Sequence, residues 1–368
     1  MKLLSLRRFS CLVLVIVLVL TVSVGCGSNS NQGESQDTGQ QSASGGSTSQ
    51  GDDGTVYTLR AAAASVAPAS EPLCNEEFKR LIEEATDRIV VETYPGGSAG
   101  TNVQVTTGLQ DGSIQAVCLP AGYWEAFCPE IGVTGLPMTF GGPEEIYQVL
   151  QQEGELRTLL DEALAEKGFV VGAWLRDCDS RFLSKKPINS IEDLKGMKVW
   201  CMANTKINDT INALGGTAVN FDTGDLAVSL QQGTIDCVYT GNTLFRALKL
   251  YESAKYLNIS KVVINVNVLM LSKPWLDSLP EDLREIVMDC AEQAGLWHYE
   301  YNTTSLDDCM TEFIDNGVTV SYADDAFRDY AKEVTKPIIE GYVNQSDSCK
   351  AVYDAAVAAV EAYTGEEG

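Results

Sequence analysis

Histidine is almost missing: His298 is the single one in 368 residues. That leaves little room for a His-rich metal site or for several imidazole-based catalytic centres. Basic side chains are scarce, 26 against 51 acidic, for a formal net charge of −25. Phosphate-backbone binding needs clustered Lys and Arg, so nucleic acid is not an expected partner. No CxxC pair occurs, which removes the zinc-knuckle and thioredoxin-like readings. No nucleophile elbow, phosphate-binding loop or metal-ligand spacing is found, so no enzyme class, metal or cofactor is indicated. Acid pairs such as Asp222 and Asp225 read as caps or solvated groups on an acidic surface. What the chain does have is bulk. A hydrophobic fraction of 45% argues against disorder. The length suits roughly two domains of ordinary size, enough to bury a core.

The first 25 residues read as a secretion signal. Lys2, Arg7 and Arg8 precede an almost wholly apolar run, Cys11 to Val24. That run is shorter than the ~20 residues a spanning helix needs. Ser23-Val24-Gly25-Cys26 then resembles a lipobox, in which Cys26 is lipidated and becomes the new N-terminus. Ser23 stands where Leu is usual, and a plain cleaved signal is the competing reading. A lipid at Cys26 would anchor the protein without making it span the bilayer. Residues 27–54 are Gly, Ser, Gln, Asn, Thr and acids with Ala43 the one apolar side chain, so 26–55 read as the lipidated cysteine and a flexible tether. Its ends would average about 30 Å apart. The expected location is extracytoplasmic, on the periplasmic side or the outer face of a single-membrane cell.

Nine cysteines follow Cys26, an odd number that cannot all pair within one chain. Exported proteins normally avoid so many loose thiols. We expect most to be reduced, buried small hydrophobes.

The body alternates between helix and strand patterns. Strands are expected at Tyr57–Ala64, Ile89–Tyr94, Ile114–Leu119 and Phe169–Trp174, with helices at Cys74–Asp87, Thr101–Leu109, Pro143–Leu150 and Glu155–Lys167. A second set follows: strands at Lys198–Cys201, Ala218–Phe221, Ile235–Tyr239 and Val262–Leu271, and helices at Ile207–Leu214 and Gly224–Gln232. From Pro280 the pattern is nearly all helical, with one very long helix across Glu281–Asn316. This rhythm argues for two α/β units with mainly parallel sheets and a helical C-terminal third.

A series of motifs, in order, resembles the solute-binding proteins of tripartite ATP-independent periplasmic (TRAP) transporters, the DctP type. Tyr94-Pro95-Gly96-Gly97 with Ala99-Gly100 is similar to a YPGGxLG turn, and Leu136-Pro137-Met138-Thr139-Phe140 to LPFxF. Leu109 to Ile114 fits a helix-to-strand LxxGx(I/L/V) segment. Lys186-Pro187-Ile188, then Ile191 to Val199, follows kPI and eDLKGlKi. Leu214-Gly215-Gly216 and Leu230 to Asp236 resemble LGa and LQxGxvD, and Trp275 to Glu281 a WxxLPed helix start. The resemblance covers about residues 56–316. It implies an α/β, two-lobed periplasmic-binding-protein-like fold with a long interlobe helix. Residues 56–177 plus about 260–290 would form lobe 1, and 178–259 plus about 291–368 lobe 2 with the C-terminal helices. It further implies a monomer that captures a small organic solute for TRAP membrane subunits. The rival reading is a lipoprotein serving an ABC importer or a sensory receptor.

Most members of this family carry organic acids and hold them through an arginine directly after the KGlKi strand, because a guanidinium grips a carboxylate with two hydrogen bonds. Trp200 stands there instead. Either Arg176 or Arg181, near the crossing between lobes, takes over, or Trp200 stacks on an uncharged, cationic or aromatic solute. Family positions add Asn102, Tyr123, Trp124, Trp174, Asn204, Thr240 and Asn242 as contacts in the cleft. The crossings themselves are expected near Cys178 and Asn258.

Overall fold

In a computed structural model, the described residues are 54–363. The signal, Cys26 and nearly all of the tether therefore lie outside them. The chain divides into residues 1–52 and a compact unit of residues 53–368, and every described residue belongs to the second.

Along the chain run β1 (Tyr57–Ala63), α1 (Ser70–Ala85), β2 (Ile89–Tyr94), α2 (Asn102–Asp111), β3 (Ala116–Pro120), α3 (Pro143–Gln151), α4 (Glu155–Glu166) and β4 (Phe169–Asp179). Next come β5 (Arg181–Ser184), β6 (Lys198–Trp200), α5 (Thr205–Ala213), β7 (Thr217–Val219), α6 (Leu226–Gln232), β8 (Cys237–Thr240), α7 (Asn242–Ala247) and β9 (Tyr256–Ile259). The last elements are β10 (Ile264–Ser272), α8 (Lys273–Ser278), α9 (Glu281–Asp315), β11 (Thr319–Tyr322), α10 (Asp325–Val343) and α11 (Asp347–Ala362).

The strands form two sheets, ordered β2-β1-β3-β10-β4 and β11-β9-β5-β8-β6-β7. This is the expected two-lobed α/β fold. The sheets are more mixed than the sequence rhythm implied. β10 runs antiparallel to both β3 and β4, and β5 antiparallel to both β8 and β9. The reason is the connection: β4 passes through Ser180 directly into β5, and 260–263 lead back into β10, so these strands enter against the βα direction. The crossings are laced together. Ser180 N–H donates to Val263 O at 2.9 Å, and Met138 N–H to Val262 O at 2.7 Å.

Both faces of each sheet are covered. Leu119, Trp124, Phe169, Val268 and Met270 lie on one face of the first sheet, and Leu59, Phe78, Leu175 and Leu271 on the other. The 35-residue α9 packs its N-terminal half on α1 and β4 and its C-terminal half, Cys309 and Phe313, in the core of the second sheet. It approaches β4 closely because Gly295 has no side chain: a Cβ there would lie 2.7 Å from Ala173 Cβ.

The C-terminal helices are shared between lobes, which departs from their assignment to lobe 2. Phe327 and Ala331 of α10 join the second-sheet core, but Tyr342, Cys349, Val352 and Ala356 belong to the first. Tyr342 Oη donates to Glu130 O at 2.7 Å, which fixes the end of α10 on the first lobe. All nine cysteines among the described residues are buried and free. Burial pushes the Cys128 thiol up to about 12 and the Cys201 thiol to about 11.

Candidate functional site

A cavity of about 450 Å³ opens between the two lobes. From the first lobe it takes Asn102 and Val103, then Pro120 to Tyr123, Glu125 to Phe127, and Gly132, Thr134 and Gly135. From the second it takes Met202 to Asn204, Lys206 and Ile207. The crossing strand supplies Val263 to Val266.

Local sequence explains these placements. Gly96, Gly97 and Gly100 all have positive φ, at 64°, 71° and 128°, where other residues are strained. That turn delivers the chain to Thr101, which caps α2. Thr101 Oγ1 accepts from Gln104 N at 3.3 Å, and Gln104 Oε1 accepts from Thr101 N at 2.8 Å. Asn102 is thereby set at the first position of α2, and its side chain interacts with the Tyr123 hydroxyl. Burial, and then the charge of Glu71, push that hydroxyl's pKa up. Across the cleft, Asn204 caps α5, its Oδ1 accepting from Ile207 N at 3.2 Å. Its amide nitrogen is the group it can offer to a solute. Asn265 donates from Nδ2 to Ser180 Oγ at 3.1 Å, so its Oδ1 is left as an acceptor.

Lys206 and Glu125 are the charged side chains lining the cavity, and they meet across it. Lys206 Nζ lies 2.7 Å from Glu125 Oε1, donates to Gly132 O at 3.1 Å and sits 4.7 Å from the centre of the Tyr342 ring. The walls are otherwise largely apolar. Val103, Tyr123 and Met202 are among the exposed large hydrophobic side chains of the whole unit and all line this cavity. Exposed apolar surface gathered at a concave site is what a ligand covers.

Of the residues expected in the cleft, Asn102, Tyr123 and Asn204 line it. Trp200 does not. It is 2% exposed, packs with Leu226, Leu230 and Val238, and donates from Nε1 to Phe221 O at 3.1 Å. β6 is an interior strand with both faces covered, Val199 under α5 and Trp200 under α6, so the indole belongs to the core. Trp124 and Trp174 are fully buried in the first-lobe core. Neither arginine lines the cavity. Arg176 pairs with Glu144 at 3.1 Å and stands over the Tyr299 ring. Arg181 pairs with Asp179 at 2.9 Å. Thr240 ends β8 opposite Arg181, and Asn242 is fully buried with no hydrogen bond to either amide atom. Sequence reading missed Lys206, Glu125, Asn265 and Met202. Lys206 carried one available signal: it stands two residues beyond the capping Asn204, inside the helix that follows the expected anchor strand.

One acid, Glu71, lies near the Tyr123 hydroxyl, and a second, Asp177, lies near Glu71. Glu71 accepts from Ser65 Oγ at 3.1 Å, and burial raises its pKa. Burial, then the Glu71 charge, push Asp177 up to about 7.

The family model described as bacterial extracellular solute-binding protein, family 7 (DctP), matches residues 63–346. A solute-binding protein of Chromohalobacter salexigens is 24% identical over 272 residues, 73% of this chain and 80% of that one. Among solved structures, a TRAP periplasmic solute-binding protein from the same species, with bound D-glucuronate, superposes with a TM-score of 0.75 at 21% identity, covering 82% of this chain and 99% of that one. One from a Sulfitobacter species, with bound β-D-galacturonate, gives 0.73 at 23% identity and the same coverage.

Proposed function

The chain belongs to family 7 of the bacterial extracellular solute-binding proteins, and from that premise we propose that the cavity between its lobes captures a small organic solute for a TRAP-type transporter. The observation that carries this is the lining. Side chains from both lobes and from the crossing strand face one space, so a solute bound there touches both lobes at once. Such a solute stabilises the closed arrangement by the difference between its affinities for closed and open forms, and no more than that difference. Hydrogen bonds from Asn102, Asn204 and Asn265 would orient it, while Phe127, Met202 and Val266 would exclude water. The partners are membrane subunits that receive the solute, and the protein acts as a monomer without chemical turnover. The family match favours this over service to an ABC importer or a sensory receptor.

Cys26 would carry the lipid, and residues 26–55 would let the body swing between membrane surface and transporter. Small-angle scattering, with the solute identified by native mass spectrometry of the purified protein, tests the capture reading. The radius of gyration should fall on saturation. A radius that is unchanged with the cavity filled would overturn closure. Mass spectrometry of membrane-extracted protein tests the anchor, since an unmodified Cys26 would remove it.

A further inference from the structure

We infer that the cavity selects an uncharged solute over a carboxylate, and that Glu125 sets this preference by occupying Lys206. The inference rests on the capture reading and names the class of solute for the same site.

Charge is the first argument. Lys206 and Glu125 are the charged side chains in the lining, 2.7 Å apart, so the cavity presents a neutralised pair. An ammonium has three donors. Those of Lys206 face Glu125 Oε1, Gly132 O and the Tyr342 ring, which leaves the group fully engaged. A solute carboxylate could reach it only by displacing Glu125 and would then sit beside that like charge. Among the described residues no arginine lines the cavity, and Arg176 and Arg181 each hold a carboxylate elsewhere. The neighbouring acid, Glu71, acts on Tyr123 in the same sense. The chain as a whole carries −25.

Hydrogen bonding is the second. The amides of Asn102, Asn204 and Asn265 offer both donors and acceptors without net charge. They match hydroxyl, carbonyl and amide edges. Val103, Phe127, Met202 and Val266 provide the apolar surface that such a solute, unlike a strongly hydrated anion, can cover.

The test compares matched pairs on the mature chain by thermal-shift titration: D-glucuronate against D-glucuronamide, D-galacturonate against D-galacturonamide, and further hydroxy acids against their primary amides. The wild type should respond to at least one amide with affinity ten-fold or more above that for the parent acid. Glu125→Gln uncovers the Lys206 ammonium and should gain ten-fold or more for the acid. Adding Lys206→Gln to Glu125→Gln removes the uncovered cation and should abolish that gain; a gain that survives takes Lys206 out of the role. A wild type that prefers the acids overturns the inference and leaves the capture reading standing. A Glu125→Gln variant with unchanged preference removes Glu125 from the role. Silence across every pair, in every variant, overturns the capture reading with it.

Discussion

Lys206 of α5 and Glu125 of the first lobe form an ion pair across the cleft, Nζ to Oε1 2.7 Å, with the side chains 12% and 24% exposed. A pair so placed does two things. It neutralises the site, and it ties the lobes together before any solute arrives. Lys206→Met would leave Glu125 and the Gly132 carbonyl without that partner. We expect a loss of about 1–2 kcal/mol in urea unfolding, the partial exposure discounting the figure for a fully buried pair. The solute-free radius of gyration should rise as well. Unchanged stability together with an unchanged radius would mean that the contact carries no weight between the lobes.

Trp200 is a core residue with its one polar atom satisfied by Phe221 O at 3.1 Å. Trp200→Phe should therefore cost about 1–3 kcal/mol, from the lost hydrogen bond and the space left behind. Affinity for the solute identified by native mass spectrometry should stay within two-fold. A ten-fold loss of affinity at unaltered stability would restore the indole to the site.

Gly295 lets α9 lie against β4, with the missing Cβ placed 2.7 Å from Ala173 Cβ. Gly295→Ala gains helix propensity of about 1 kcal/mol in isolation, yet must push the helix off the strand. The clash should win, giving a net loss of about 1–2 kcal/mol. A variant with a higher thermal midpoint would show that α9 can shift freely.

The elements that could be read from sequence are those with a strong period and a hard stop. β2 alternates over Ile89–Tyr94 and halts at Pro95-Gly96-Gly97; α9 runs from Glu281 with no proline and with Gly295 as its one glycine. β5 and β9 are four residues each with no glycine or proline turn just before them, whereas β6, β7 and β8, which are no longer, follow Gly196, Gly216 and Gly233. The direction of β10 depends on where the chain crosses between lobes, which local pattern does not encode. The site divides the same way. Asn102 and Asn204 sit at helix starts flagged by a glycine turn or a cap, and Tyr123 just past a strand end, so position implied the cleft. Trp200 was misplaced because a strand end says nothing about whether both faces are covered. The Lys206–Glu125 pair joins segments from different lobes, and only folding brings them together.

Asp177 and His298 titrate with opposite consequences. For Asp177, burial first and Glu71 second raise the folded pKa from 3.8 to about 7, against hydrogen bonds with Cys178 and then the Arg176 charge, which lower it. Between those values the folded protein holds a proton that the unfolded chain has released, so stability falls as pH rises from about 4 to 7 and is level above. For His298, burial and the Arg176 charge lower the folded value from 6.5 to about 3. There the unfolded chain holds the extra proton, so stability is lost as pH falls from 6.5 towards 3. In the shared window the two oppose, and the wild-type profile alone cannot separate them. Asp177→Asn does: its stability relative to wild type should climb between pH 4 and 7 by on the order of 2 kcal/mol, then stay constant. His298 supplies an independent readout, because in a tag-free chain it gives the single imidazole signal. That resonance should not shift between pH 8 and 5 in the folded protein, and should titrate near 6.5 once urea unfolds it. A folded-state midpoint near 6.5 would place the ring in water and contradict its burial.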